Sequence, residues 1–190
     1  MKGQFFVFAA IVLILTIISA KSLMVSINSI PILDVTSVDR MVENVGTEFK
    51  NILLFKDYDS FVDHVTDFSK KIRNDNDFKV LWILCKYNET FNISVGNFLG
   101  EKIDGNLSLV GLSPSLVSFS LDSGSVSNYT FTKTSDSVSI TISYTFSGGN
   151  RKETIVLDAS RPFIYGFFDV SLKSGNYEFR KIYTKKVIIT

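Results

Sequence analysis

Few residues of this 190-residue chain have the types and spacing that chemistry at a site requires. It contains one His, His64, and one Cys, Cys85, so a nucleophilic thiol would need this imidazole brought close to it and a third group to orient it. A single Cys excludes a disulfide within the chain, and one His with one Cys is short of the roughly four ligands of a structural zinc site. We therefore predict no catalytic residue, no metal ligand and no cofactor, and a protein that is not an enzyme.

Two acidic clusters are better explained as helix boundaries than as sites. Asp57 and Asp59 are spaced as in a turn that caps a following helix. Segment 74–77, Asn-Asp-Asn-Asp, is rich in oxygen ligands but lacks the Gly and the closing Glu of an EF-hand calcium loop. We interpret this segment as the solvated end of a helix.

The charge balance excludes one class of partner. With 20 Lys and Arg against 19 Asp and Glu, the net charge of +1 offers no basic excess for phosphate neutralisation, so we expect no nucleic-acid partner. The last strand concentrates basic residues, Arg180, Lys181, Lys185 and Lys186. These side chains would either meet phospholipid headgroups or an acidic partner, or protect an edge strand from pairing.

The amino-terminal segment predicts a membrane anchor. Residues 5–20 carry no charge, and a span that continues to about residue 25 reaches bilayer length if Lys21 extends to the headgroups. With Lys2 in the cytoplasm, the rest of the chain is exported. An uncleaved anchor and an ordinary signal peptide, cleaved near Ser19-Ala20, are both compatible with this pattern.

A third interpretation rests on Lys2-Gly3-Gln4, which stands directly before the hydrophobic run. This arrangement resembles the class III signal peptides of archaeal type IV pilin-like proteins, over about the first 20 residues. The resemblance implies cleavage after Gly3, a new terminus at Gln4, and homo- or hetero-assembly with pilin-like proteins. Phe8 departs from the family pattern, because many members carry Glu at that position.

The hydrophobic periodicity predicts an α+β fold: an N-terminal transmembrane helix, an amphipathic helical hairpin, and then an antiparallel β-sheet or sandwich. The corresponding segments are a leader at 1–4, an anchor and juxtamembrane segment at 5–33, and an exported domain at 34–190. Within this domain we expect the hairpin at 37–73 and the β-rich part at 78–190. Apolar residues at i, i+3, i+4 and i+7 spacing define one stripe on each helix, and this stripe needs the sheet as a partner.

The strand predictions follow from a change of period to two after residue 78. The nearly all-apolar segment 78–85 predicts a central strand that is buried on both faces. Segment 137–146 alternates Val, Ile, Tyr and Phe with Ser and Thr, which predicts one buried and one solvated face. Further strands are expected at 91–95, 107–109, 117–121, 153–157, 163–172 and 177–189.

Four Asn-X-Ser/Thr triplets are candidate glycosylation sites, with acceptors Asn88, Asn92, Asn106 and Asn128. In a strand the Asn and the hydroxyl residue of a triplet share one face, so we expect the acceptors to point away from the core. Polar strand faces without any sugar explain the triplets equally well.

From these observations we expect a single-pass cell-membrane protein with its C-terminal domain on the extracytoplasmic side. The expected role is structural or adhesive, as a pilin-like surface protein. The alternatives are an anchored β-rich binding module for a ligand or membrane complex, and a secreted domain with a cleaved signal peptide. The contact patch of a binding module would be formed by the aromatic residues Tyr165, Phe167, Phe168, Tyr177 and Tyr183.

Overall fold

The computed structural model describes residues 35–54, 58–76, 78–147, 149–174 and 177–189 of the chain. Two helices precede ten strands along the chain. The helices are α1 (Val35–Ile52) and α2 (Tyr58–Asn76), and the strands are β1 (Phe78–Asn88), β2 (Thr90–Phe98), β3 (Ile103–Val110), β4 (Leu112–Ser113), β5 (Leu116–Leu121), β6 (Ser125–Lys133), β7 (Ser137–Phe146), β8 (Gly149–Asp158), β9 (Phe163–Ser174) and β10 (Tyr177–Ile188). The part of the chain described here is thus mainly β, as the change of period predicts.

The strands form two antiparallel sheets. The larger sheet has the order β10-β9-β1-β2-β6-β4, and the smaller sheet has the order β5-β3-β7-β8. Inward-facing residues of both sheets share one hydrophobic core, with Ile83 and Phe167 from the larger sheet and Ile140 and Leu107 from the smaller one. The two sheets therefore pack face to face as a sandwich.

Strand β1 is central and buried on both faces, which confirms the prediction for segment 78–85. It pairs with β2 on one side and with β9 on the other. Leu81, Ile83 and Cys85 enter the core between the sheets, whereas Trp82 and Leu84 are buried on the opposite face. That opposite face is the one that the helices cover.

The two helices form a third layer on the outer face of the larger sheet. On α1, Phe49 stacks on Phe168 of β9 with the ring centroids 4.5 Å apart, and meets Phe68 of α2 edge-on at 5.0 Å. The predicted stripes are confirmed, because Val42 of α1 and Val65 of α2 are buried. The amphipathic helices pack on the sheet because this contact buries their apolar sides.

Two glycines permit close approach in this layer. A Cβ at Gly96 of β2 would overlap the indole ring of Trp82, and a Cβ at Gly46 of α1 would overlap the ring of Tyr183. The hydroxyl of Tyr183 donates a hydrogen bond to the carbonyl oxygen of Val42, 3.0 Å away. Because glycine has no Cβ, each of these two positions lets an aromatic ring pack directly against the backbone.

Some boundaries differ from the sequence predictions. Strands β4 and β6 were not predicted, and α2 continues to Asn76 rather than ending at residue 73. The predicted anchor at 5–33, with its transmembrane helix, and the leader at 1–4 lie outside the described residues. Neither α1 nor α2, the helices of the described part, is both long and apolar enough to cross a membrane.

Candidate functional site

The four triplet acceptors occupy three different places on the domain. Asn88 lies at the tight β1–β2 turn, where Glu89 adopts a φ of 66°. Asn106 lies on the outer face of the smaller sheet, and Asn92 and Asn128 lie on the helix side of the larger sheet. Three of the four side chains are exposed, and that of Asn92 is half-buried. The expected orientation away from the core holds, because the intervening Ile93 and Leu107 are buried between the sheets.

Two triplets are bonded to each other across neighbouring strands. Strands β2 and β6 pair so that Asn92 lies opposite Thr130 and Ser94 lies opposite Asn128. The Ser94 hydroxyl donates to Asn128 Oδ1 at 2.6 Å, and the Thr130 hydroxyl donates to Asn92 Oδ1 at 2.9 Å. We call Asn92, Ser94, Asn128 and Thr130 the cross-strand tetrad. Each hydroxyl residue thus orients the Asn of the other triplet.

The cross-strand tetrad forms much of the floor of an open groove. Lys86 of β1 extends this floor, and Val62 and Asp63 of α2 form its rim, around a volume of about 480 Å³. The groove carries one ammonium group and one carboxylate in addition to amide and hydroxyl groups. Such a balanced set of donors and acceptors suits a small polar ligand with several hydroxyl groups.

A second polar hollow of about 690 Å³ lies on the smaller sheet. Asp104, Asn106, Ser143 and Lys152 are among its lining residues, and the Ser118 hydroxyl donates to Asn106 Oδ1 at 2.7 Å. The third triplet acceptor is therefore also held by a serine of the neighbouring strand. In this case the strand that carries the Asn, β3, has a partner strand on each side.

His64 and Cys85 do not form a catalytic pair. His64 is an exposed residue of α2, and its Nδ1 donates to the carbonyl oxygen of Ser60 at 2.6 Å. Cys85 faces the core on the other side of the larger sheet and is fully buried. Burial raises the pKa of the Cys85 thiol. The sheet therefore separates the two groups, and the thiol is held in its less reactive protonated form.

An ionic cluster around a buried carboxylate joins the two sheets at one side of the sandwich. Asp169 of β9 is 1 % exposed, and its carboxylate accepts hydrogen bonds from Nε and Nη2 of Arg180, each 2.7 Å long. Arg151 of β8 donates to the same carboxylate at 3.3 Å, and the Tyr144 hydroxyl donates to it at 3.0 Å. Burial and then the charge of Asp169 raise the pKa of Tyr144, while the bond to Asp169 raises the pKa of Arg180. We call these four residues the ionic cluster.

Sequence reasoning missed the ionic cluster. Asp169 stands inside a strand of apolar residues, and this isolated acid in an apolar run was the available signal. Its partners Arg180, Arg151 and Tyr144 are 11, 18 and 25 residues away in the chain. The pairing of β9 with β10 and the packing of the two sheets bring them together. The two guanidinium groups supply positive charge and, together with the phenol, hydrogen bonds to the buried carboxylate, so the cluster has a structural role.

The remaining sequence candidates have structural roles or lie outside the described residues. Phe167, Phe168 and Tyr183 of the expected aromatic patch are buried and Tyr165 is half-buried, so these four residues do not form an exposed patch. The burial of the fifth, Tyr177, is not described. Asp59 lies in the first turn of α2, whereas Asp57 lies outside the described residues, as do the processing residues Lys2, Gly3 and Gln4.

The described residues contain no group of three or more His, Cys, Asp or Glu side chains that could hold a metal ion. What they define is a three-layer β-sandwich domain with a polar groove beside its helices. No protein-family model, no curated protein and no solved structure significantly matches the chain.

Proposed function

We propose that this protein is a membrane-anchored, extracytoplasmic surface protein with a structural or adhesive role, pilin-like in its amino terminus. The observation that carries the proposal is the charge-free run at 5–20, followed by a domain with its own core. A span of this kind places the following domain outside the cytoplasm when Lys2 stays inside. The exposure of Asn88 and Asn106 in two triplets supports an outward-facing, glycan-bearing surface.

A charge in the centre of the anchor tests this proposal. Leu13→Arg is expected to move the chain from the membrane fraction to the soluble fraction of its native cells. An arginine at the centre of a span costs about 2.5–3.5 kcal/mol of insertion free energy. The measurement is membrane fractionation together with protease treatment of intact cells, and Leu13→Ile is the matched control. If Leu13→Arg remained in the membrane and protease-accessible, the anchor would lie elsewhere.

The amino-terminal sequence of the membrane-purified protein separates the modes of anchoring. A start at Gln4 supports prepilin-type processing and assembly with pilin-like proteins. A start at Met1 supports a plain anchor with surface binding partners. A start near Lys21 supports a secreted domain and contradicts anchoring.

The groove beside α2 favours a second candidate function, an anchored binding module for a polar ligand. The cross-strand tetrad is preorganised by its own hydrogen bonds, so ordering it for a ligand costs little entropy. We expect a soluble monosaccharide or disaccharide, such as N-acetylglucosamine or maltose, to receive saturation transfer from the protein in NMR.

A matched pair of variants locates that binding. Asn128→Leu is expected to abolish the transfer, because it removes an amide from the groove floor. Asn106→Leu is the control, since it removes an amide of the same kind from the smaller sheet. Equal transfer in the two variants would show that no sugar binds in the groove.

A further inference from the structure

The two sides of the sandwich differ in how their strand edges are protected. On one side lie the edge strands β8 and β10, and both carry many charged residues. They are also bonded to each other: Arg180 lies 3.0 Å from Glu153, and Arg151 lies 3.5 Å from Glu178. Lys186 Nζ adds a hydrogen bond of 2.6 Å to the carbonyl oxygen of Asp158. Charges on an edge oppose the addition of a further strand, so this side of the sandwich is closed to strand pairing.

The opposite side has an edge without such protection. The last strand of the larger sheet there, β4, has two residues and pairs only with Thr132 and Lys133 of β6. Among the described strands, none pairs with residues 125–131 on the side away from β2. Segment 123–132 contains no charged residue and no proline, and the neighbouring edge strand β5 contains none either. We call residues 125–131 the open edge.

The open edge is also regular in shape. Its pairing with β2 runs without interruption from Phe91 opposite Phe131 to Asn97 opposite Ser125, so no bulge bends it away. Apart from the N–H of Ser125, which donates to the carbonyl oxygen of Asp122 at 3.1 Å, such a strand presents a row of backbone N–H and C=O groups that no described strand pairs with. Such a row is a template for an additional antiparallel strand.

We propose that the open edge pairs, antiparallel and about a two-fold axis, with the open edge of a second copy of this chain. The segment is complementary to itself. With Asn128 at the axis, Val126 lies opposite Thr130 and Ser127 lies opposite Tyr129, so no like charges meet across the interface. The two larger sheets then become one continuous sheet, and β4 confines the pairing to residues 125–131. This interface does not rest on the membrane anchor or on the proposed function.

A charge on the open edge tests the interface. We expect the full-length chain, purified in detergent from a host that adds no N-glycans, to sediment as a dimer. Asn128→Lys places two ammonium groups against each other at the two-fold axis and is expected to raise the dimer dissociation constant at least about tenfold.

Asn106→Lys is a closely matched control for this charge. Like Asn128, Asn106 is exposed and accepts a hydrogen bond from a serine hydroxyl. Its strand, β3, differs from β6 because it pairs with a strand on each side along its length. It should therefore leave the dissociation constant unchanged. A wild-type chain that sediments as a monomer would overturn the proposal. This holds also if its open edge pairs with a strand of another protein. So would equal dissociation constants for the two lysine variants.

Disulfide trapping supplies an independent readout. Cys85 is the only native cysteine and is fully buried, so a cysteine introduced at the surface reacts alone. Under mild oxidation, Asn128→Cys is expected to form a covalent dimer, and Asn106→Cys is expected to remain monomeric. Trapping at position 106 with none at position 128 would contradict the pairing of the open edges.

Discussion

Ile140→Asp is expected to unfold this protein, whereas Ser139→Asp in the same strand is expected to be tolerated. Ile140 is 0 % exposed and belongs to the core between the two sheets. An aspartate there would be a buried charge without a partner, and we expect a loss of at least about 4 kcal/mol in the free energy of unfolding. Ser139 lies on the solvated face of β7, so the same substitution there should cost no more than about 1 kcal/mol.

Urea unfolding of the full-length chain, followed by circular dichroism, measures both free energies. The pair is informative because the two positions are adjacent and the introduced side chain is identical. The replaced residues Ile and Ser differ in β-propensity by no more than about 1 kcal/mol, so a larger difference arises from the face of the strand. Equal losses at the two positions would mean that β7 does not bury one face.

Arg180→Met is expected to be the second strongly destabilising substitution. It removes two hydrogen bonds of 2.7 Å from Asp169, a carboxylate that is 1 % exposed. Breaking a buried pair from one side leaves a partly uncompensated charge, so we expect a loss of about 3 kcal/mol in the free energy of unfolding. Arg151 and Tyr144 remain bonded to Asp169, so the loss should stay at the lower end of the range for such pairs.

The control for Arg180→Met is Lys185→Met. Lys185 is an exposed basic residue of the same strand, and its replacement should change the free energy of unfolding by less than about 0.5 kcal/mol. In the double variant with Asp169→Asn, the loss should be smaller than the sum of the two single losses, because both substitutions remove the same pair. Additive losses would show that Arg180 acts independently of Asp169.

The elements of this fold that could be predicted are those with a clear local period. The apolar stripe of α1 and the alternation of β7 each repeat within one element, so their buried faces follow from the sequence alone. The all-apolar segment of β1 likewise indicated a strand buried on two faces. The fold class could therefore be derived as far as helices that cover an antiparallel sheet or sandwich.

Strand β6 could not be predicted with the same means. Its two faces are both largely polar, with Ser and Asn beside Tyr and Thr, so the alternation has little contrast. It is nevertheless the strand that completes the groove and carries the open edge. Three strands separate it along the chain from its partner β2, and no local pattern indicates that pairing.

The candidate glycosylation sites also have features that the sequence predicts and features that depend on strand pairing. The triplets and their orientation away from the core follow from the strand period of two. That Asn92 and Asn128 lie side by side, each bonded to the hydroxyl of the other triplet, depends on the register between β2 and β6. The ionic cluster likewise depends on β9 and β10 lying beneath β7 and β8.

The sequence by itself shows the charge-free amino-terminal run. It also determined the type of most helices and strands and the face that each of them buries. These properties follow from local composition and periodicity, which act within about ten residues. The tertiary structure alone decided which strands are neighbours, and hence the cross-strand tetrad, the partners of Asp169 and the open edge of β6. Strand pairing joins residues that are distant in the chain, and its register results from burying all apolar faces at once.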